Sequence, residues 1–128
     1  MDKKLAKDRI KLLDDETGVI RKRRHANTTV ALVYPNTYHV GMSNLGFQSV
    51  YHLLNTMDDI VCERSFLPES RFKNANDIIT IESGQPIRQF DMVAFSISFE
   101  NDYPNILTIL QRAGIPLKSE DRGNPHPL

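Results

Sequence analysis

The apolar positions of this chain fall into two kinds of run, and their order along the sequence predicts its elements. Val30-Ala-Leu-Val-Tyr34 is continuous and β-branched, stops at Pro35, and gives way to a polar, glycine-bearing loop. Beyond the loop, Phe47, Val50, Tyr51 and Leu54 recur at i, i+3, i+4 and i+7, the spacing of one helix face. Residues 29–56 therefore read as strand, loop, helix. The strand does not alternate with polar residues, which is expected of a central parallel strand covered on both faces. Ser43 or Asn44 is the expected N-cap, and Asn55 with Thr56 closes the helix.

The same two patterns recur downstream. Ile60 to Leu67 predicts a second strand that enters a loop at Pro68, with Cys62 inside it as a small buried hydrophobe. Pro68 to Asn74 could open a short helix, and Ile78–Ile81 is a β-prone piece, an edge strand or extended connector, before the turn signal Glu-Ser-Gly-Gln-Pro86. Met92–Phe95 is another continuous apolar run and predicts a buried parallel strand. Alternation then puts Phe95, Ile97 and Phe99 on one face and Ser96, Ser98 and Glu100 on the other. Asn101-Asp102 precedes a helix with Pro104 in its first turn, Gly114 at its end, and Ile106, Ile109, Leu110 and Ala113 on its apolar face. Ahead of all this, Lys3–Asp14 is a weakly amphipathic helix with Leu5, Ile10, Leu12 and Leu13 among charges, ending near Gly18, and no partner for it is apparent.

Strands alternating with helices give an α/β fold, a three-layer Rossmann/flavodoxin-like open sheet that is mainly parallel. We divide the chain into a helical and basic lead-in (1–27), the α/β domain (28–118) and a polar tail (119–128). Such a sheet normally continues to a fourth and fifth strand, so the expectation is a truncated domain, one module of a longer polypeptide.

The totals narrow the partners. Sixteen basic residues balance sixteen acidic ones among 128, so no global field steers the chain onto nucleic acid or an anionic membrane, and any such contact is local. Arg21-Lys-Arg-Arg24-His25 is the one basic run, read either as a phosphate or RNA contact or as a solvated connector without interleaved aromatics. The lone Cys62 forms neither an internal disulfide nor a metal cluster, and a reducing cytoplasm fits it. The charged amino terminus is neither a signal peptide nor a membrane anchor, and no membrane association is expected.

In an open α/β sheet ligands bind at the carboxyl ends of the strands, which directs attention to Asn36–Ser43 and to Ser96–Asn101. Gly41 and Gly46 flank the helix start, where glycine serves either a close approach to a ligand or the turn and the helix–sheet contact. No serine or cysteine sits beside a histidine in a nucleophile elbow, and no paired carboxylates face the crevice, so no residue is assigned a catalytic or metal-ligating role. The loop matches neither a phosphate-binding glycine motif nor the acidic pocket of a receiver domain.

Val30-Ala-Leu-Val-Tyr-Pro-Asn-Thr-Tyr-His-Val-Gly-Met-Ser-Asn-Leu-Gly-Phe-Gln48, Val61-Cys-Glu-Arg-Ser-Phe-Leu-Pro68, Phe90 to Glu100 and Ala113-Gly-Ile-Pro-Leu117 resemble the amino-terminal domain of radical S-adenosylmethionine (radical SAM) iron–sulfur proteins. The Gly41-Met-Ser-Asn-Leu-Gly46 loop is the most specific part of the resemblance. It implies a cobalamin-binding-like domain that precedes the protein's own C-terminal radical SAM barrel, an oxidoreductase-type enzyme whose [4Fe–4S] cluster and S-adenosylmethionine belong to that barrel. The domain alone would be non-catalytic. The resemblance further implies cobalamin held against Asn36, Thr37, Tyr38, His39, Gly41, Met42, Ser43, Ser96, Ser98, Glu100 and Asn101. The Asp-x-His-x-x-Gly motif of mutase-type cobalamin domains is absent, since His39 is followed by Gly41 and has no aspartate two positions earlier, so His39 is not assigned to cobalt.

Three readings stand at this point: a cobalamin-binding-like accessory domain, the same fold without cofactor as a substrate-docking module for protein or RNA, and a free-standing nucleotide or flavin binder.

Overall fold

In a computed structural model, which describes residues 3–20, 22–23, 27–68 and 78–128, the run at Thr28–Tyr34 is strand β1 and lies at the centre of a three-stranded sheet. β2, Ile60–Phe66, and β3, Met92–Phe95, flank it in the order β2-β1-β3. Thr28 pairs with Ile60 and Val30 with Met92, both parallel, so the three carboxyl ends share one edge of the sheet. The helices are α1 (Lys3–Asp15), α2 (Tyr38–Met42), α3 (Leu45–Asn55) and α4 (Tyr103–Arg112).

The strand period of two sorts β1 onto two cores. Val30, Leu32 and Tyr34 pack with Phe47 and Tyr51 of α3 and with Cys62 and Phe66 of β2. Ala31 and Val33 pack on the other face with Ile109 and Leu110 of α4 and with Ile78, Ile87 and Phe90. This is why β1 reads as an unbroken apolar run, and it gives the expected three-layer α/β architecture. Each large side chain so buried stabilises the fold by about 1.5–3 kcal/mol.

Asn44 is the N-cap of α3, its Oδ1 accepting from the Phe47 N–H at 2.9 Å. Asn55 ends the helix with a second function: its amide donates to the Cys62 carbonyl and accepts from the Cys62 N–H, each at 3.0 Å, which pins the end of α3 to β2. Gly114, at φ 72°, ends α4 in the left-handed conformation that glycine adopts without strain.

Several sequence expectations need correction. Val50 is 40% exposed, because only Phe47 and Tyr51 of the α3 face, with Leu54 behind them, reach the sheet. β3 is parallel but lies at an edge, with Met92 39% exposed. Ile97 and Phe99 do not continue an alternating strand: the ladder ends with the Ser96 N–H donating to the Val33 carbonyl, and both side chains are exposed. Ile78–Ile81, expected as an edge strand or extended connector, does lie at the edge of the sheet. It is buried along the outer side of β2, where Thr80 bridges Ser65 and the Ile81 N–H donates to the Arg64 carbonyl at 2.9 Å. The helix expected from Pro68 and most of the basic run lie outside the described residues.

α1 does have a partner. The Arg9 guanidinium donates to the Ile81 and Glu82 carbonyls at 2.9 and 3.0 Å, and Glu16, just past the helix, pairs with Arg64 of β2. Charged contacts hold this helix alongside the buried Leu13, and hydrophobic periodicity does not reveal such contacts. Within the basic run, the Lys22 Nζ donates to the carbonyls of Asn55, Met57 and Ile60 and so caps the C-terminal end of α3.

Candidate functional site

The sheet order reverses between β1 and β3, one neighbour of β1 following it through α3 and the other lying on its opposite side. In an open sheet that is the switch point at which ligands bind. The loops that meet there are tied by asparagine side chains. Asn36 is the hub: its Nδ2 donates to Asp102 Oδ1 at 2.9 Å, its Oδ1 accepts from the Thr37 N–H at 2.8 Å, and its carbonyl accepts from the Leu67 N–H at 2.9 Å. One residue thereby joins the loops after all three strands. Asn105 Nδ2 adds a bond to the Pro35 carbonyl at 2.9 Å, and Asn44 Nδ2 donates to Ser98 Oγ at 2.7 Å across the mouth of the crevice.

The Asn44–Ser98 bond joins two stretches with exposed apolar side chains. Leu45, next to Asn44, is 78% exposed, and Ile97 and Phe99 flank Ser98, the latter 62% exposed. Large apolar groups thus stand in water beside a polar bridge at the carboxyl edge of the strands.

The structure distributes the sequence-predicted residues between two regions. Asn36, Thr37, Ser96, Ser98, Glu100 and Asn101 sit on the loops after β1 and β3, with Glu100 and Asn101 exposed in a 3-10 turn, Glu100–Asp102. Tyr38, Gly41 and Met42 turn toward α3 and β2. The Tyr38 ring stands edge-on to Phe66 at 5.2 Å, and Met42 Sδ lies 3.4 Å from the Arg64 guanidinium. A Cβ on Gly41 would meet the Phe66 ring at 2.5 Å, so of the two uses open to this glycine the structure selects helix–sheet contact. Tyr38 and His39 also line a separate concavity of about 650 Å³ beneath α1, with Leu5, Leu12, Phe66 and Ile81. Ser43 Oγ bonds back to the His39 carbonyl within α2, and Gln48 Nε2 donates to the Met42 carbonyl.

Sequence reasoning passed over Asn44, Asp102 and Asn105 as site residues. Asp102 read as a helix cap, yet its side chain makes no capping bond: it turns to Asn36, it is 3% exposed, and its Oδ2 has no partner among the described residues. Nothing local in the sequence distinguishes a capping aspartate from one recruited by a loop 66 positions earlier.

Behind the loops lies a buried charge network. Arg64 is held between Glu16, at 2.5 and 2.9 Å, and Glu82, at 2.6 Å, and lies over the Tyr51 ring. Glu82 also accepts from the Tyr51 hydroxyl at 3.0 Å and the Arg64 N–H at 2.8 Å. Burial pushes the Glu82 carboxyl above the usual carboxylate range, with the Arg64 guanidinium pulling back. Burial, and then the charge of Glu82, raises the Tyr51 phenol well above its ordinary value. Burial, and then Glu16, pushes Tyr38 up to about 12, and burial with Glu82 pushes the Cys62 thiol up to about 12, so this cysteine is an inert core residue. Among the described residues no three His, Cys, Asp or Glu side chains group as a metal site.

A parallel sheet with a hydrogen-bonded crevice at its switch point defines a Rossmann-like α/β domain. Residues 46–128 match the family described as radical SAM proteins, N-terminal, and the chain belongs to that family. It is thus an accessory domain whose partner is the radical SAM part of the same protein. The match opens inside α3, so β1 and the Asn36–Ser43 loop precede the matched segment. No curated protein and no solved structure matches the chain. No described helix is long and apolar enough to cross a membrane.

Proposed function

We propose that the domain presents cobalamin to the radical SAM part of its protein, with the corrin resting on the carboxyl edge of the sheet over the Asn44–Ser98 bridge. The observation that carries this reading is the combination found there: exposed Leu45, Ile97 and Phe99 around a polar Asn–Ser pair. A broad ring with an apolar face and a rim of primary amides matches such a surface. The residues present fit the group in this sense: Asn36, Asn44, Ser96 and Ser98 supply donors and acceptors for rim amides, while the side chains at 45, 97 and 99 cover the ring. When bound, cobalamin supplies a cobalt centre for alkyl transfer or redox chemistry, and this chain's own residues bind and orient it. The [4Fe–4S] cluster and S-adenosylmethionine belong, on this reading, to the radical SAM part.

A phosphate ligand fits less well. The Phe47 N–H at the start of α3 is already taken by the Asn44 side chain, and the buried Asp102 side chain occupies the start of α4. This argues against the nucleotide or flavin reading. The docking reading without cofactor draws support from α3, which exposes Leu45, Val50 and Leu53 and carries no Asp, Glu, Lys or Arg; it favours a protein partner over RNA.

The test is titration of the full-length protein with hydroxocobalamin, followed by absorbance and calorimetry. A saturable spectral shift, weakened about tenfold by Ser98→Ala with Leu45→Ser, is the expected result for a loss of about 1.4 kcal/mol. No shift and no heat would leave the docking reading in its place.

A further inference from the structure

One side of α1 borders the concavity of about 650 Å³ that lies between this helix and the carboxyl end of β2. Helical spacing divides that side into two lines. Lys4, Asp8, Lys11 and Asp15, at i, i+4, i+7 and i+11, are exposed and form the outer rim, where two cations offset two carboxylates. Leu5, Arg9 and Leu12, at i, i+4 and i+7, are half-buried and form the inner line. The facing wall is apolar, with Phe66, Leu67, Ile79 and Ile81, and the Tyr38 ring stands edge-on to Phe66 at 5.2 Å. Arg9 is therefore the charge that sets the sign of the interior.

The Arg9 side chain is already fixed in place. Its Nη1 donates to the Ile81 and Glu82 carbonyls at 2.9 and 3.0 Å. A Cβ on Gly84, at φ 73°, would come 2.9 Å from Arg9 Nε, so the glycine leaves the space that the guanidinium occupies. Those partners are neutral. Arg64 is held by two carboxylates, but among the described residues no carboxylate pairs with Arg9, and its Nε is buried without a hydrogen-bond partner. A guanidinium set among apolar side chains without a counter-ion is under-compensated, and an anion beside it gains more there than in open water.

We propose that this concavity is a second binding site of the domain, for a small organic carboxylate with an apolar, ring-sized body. The carboxylate meets the Arg9 guanidinium, and the body lies between Leu5 and Leu12 on one wall and Phe66, Ile79 and Ile81 on the other. A single guanidinium inside a neutral rim balances one negative charge, which suits a carboxylate rather than a phosphate dianion. The volume falls within the range of small-molecule sites, about 300–1,000 Å³. Asn36 and Thr37 serve the crevice at the switch point, whereas the next two residues, Tyr38 and His39, turn to the concavity. The two sites are thus distinct and share α2 as a wall.

The test is a titration of the protein with 2-naphthylacetate and, in parallel, with its neutral isostere 2-naphthylacetamide, followed by backbone amide chemical shifts. Saturable binding of the acid is expected with a Kd of about 1 mM or tighter, with shifts centred on α1 and Ile79–Ile81. The amide is expected to bind about tenfold more weakly, for want of the charge-assisted bond. Arg9→Gln, which keeps a donor for the two carbonyls and removes the charge, should bind acid and amide equally. Leu5→Trp fills the concavity while keeping Arg9; it should abolish binding of both, and it carries the test if Arg9→Gln fails to fold. Absence of saturation by the acid, equal affinity of wild type for acid and amide, shifts confined to another region, a preference for the acid that survives Arg9→Gln, or binding that survives Leu5→Trp overturns the proposal. No corrinoid takes part, so failure here is separate from failure of the cobalamin titration.

Discussion

The Asn36 amide donates to the Asp102 carboxylate at 2.9 Å, joining the loop after β1 to the start of α4 across the point where the sheet order reverses. Asn36 can do this because it is neutral and its Oδ1 is already held by the Thr37 N–H. Asn36→Asp places two carboxylates in contact, one half-buried and one buried, and is expected to cost about 2–4 kcal/mol at pH 7. The repulsion raises the introduced group's folded pKa above its unfolded value. Its protonated form therefore restores the bond at acid pH, and that stability is lost as pH rises through the raised value. Urea midpoints at pH 7 and pH 4 check this: the deficit of Asn36→Asp relative to wild type shrinks at pH 4, whereas that of Asn36→Ala does not. A pH-independent deficit in both would refute the account.

Most of the fold was legible because it rests on apolar periodicity. The continuous run of β1, the helix faces of α3 and α4 and the parallel α/β class all follow from which positions exclude water. What the sequence hid depends on long-range polar contacts. Asp102 is an ordinary cap residue until Asn36 comes within reach, and Glu82, in a segment that reads as a turn, is buried only because Arg64 is there to meet it. Ile97 and Phe99 misled in the opposite sense, since their alternation continues a strand pattern past the point where the backbone leaves the sheet. The predicted site residues divide between the loops at the carboxyl edge and the α3–β2 core, which Tyr38, Gly41 and Met42 face, a division that loop sequence does not encode.

Gly41→Ala tests that division. The added Cβ would lie 2.5 Å from Phe66 Cε1 and 3.0 Å from Tyr34 Cβ, both in the core. Overpacking there is expected to cost about 1–3 kcal/mol in chemical denaturation. Phe66→Leu combined with it should recover part of the loss, a coupling that a double-mutant cycle measures directly. Additive effects would show that the two residues do not share this contact.

Glu82 accepts three hydrogen bonds, two from Arg64 and one from Tyr51. Glu82→Gln turns one acceptor into a donor facing the Arg64 N–H and weakens the partner of a buried guanidinium, with an expected cost of about 3 kcal/mol. Tyr51→Phe removes a single bond and is expected to cost about 1 kcal/mol. If thermal unfolding ranked the two the other way, the network would not centre on Glu82.

Alkaline stability follows from Tyr38. Its folded value of about 12 exceeds the ordinary phenol value of 10.0, so the folded state holds the proton more tightly. The contribution is complete below pH 10 and is lost as pH rises toward 12. The raised Tyr51 value acts in the same direction. Melting temperatures of wild type are therefore expected to fall across pH 10–11.5 more steeply than those of Tyr38→Phe. Superimposable slopes would remove Tyr38 from the account.

Lys22 decides how the basic run is to be tested. Its Nζ donates at 3.1, 2.8 and 2.6 Å to the carbonyls of Asn55, Met57 and Ile60, where the C-terminal end of α3 presents partial negative charge. Lys22→Gln should cost about 1–2 kcal/mol, because three carbonyls lose a charged donor. An RNA-retention assay that neutralises Lys22 with its neighbours would therefore register damage to α3 as loss of binding. The informative variant is Arg21→Gln, Arg23→Gln and Arg24→Gln with Lys22 kept. We expect it to leave RNA retention at the level of an uncharged control. Salt-sensitive retention by wild type that disappears in this triple variant would establish the run as a nucleic-acid contact and reverse the preference for a protein partner.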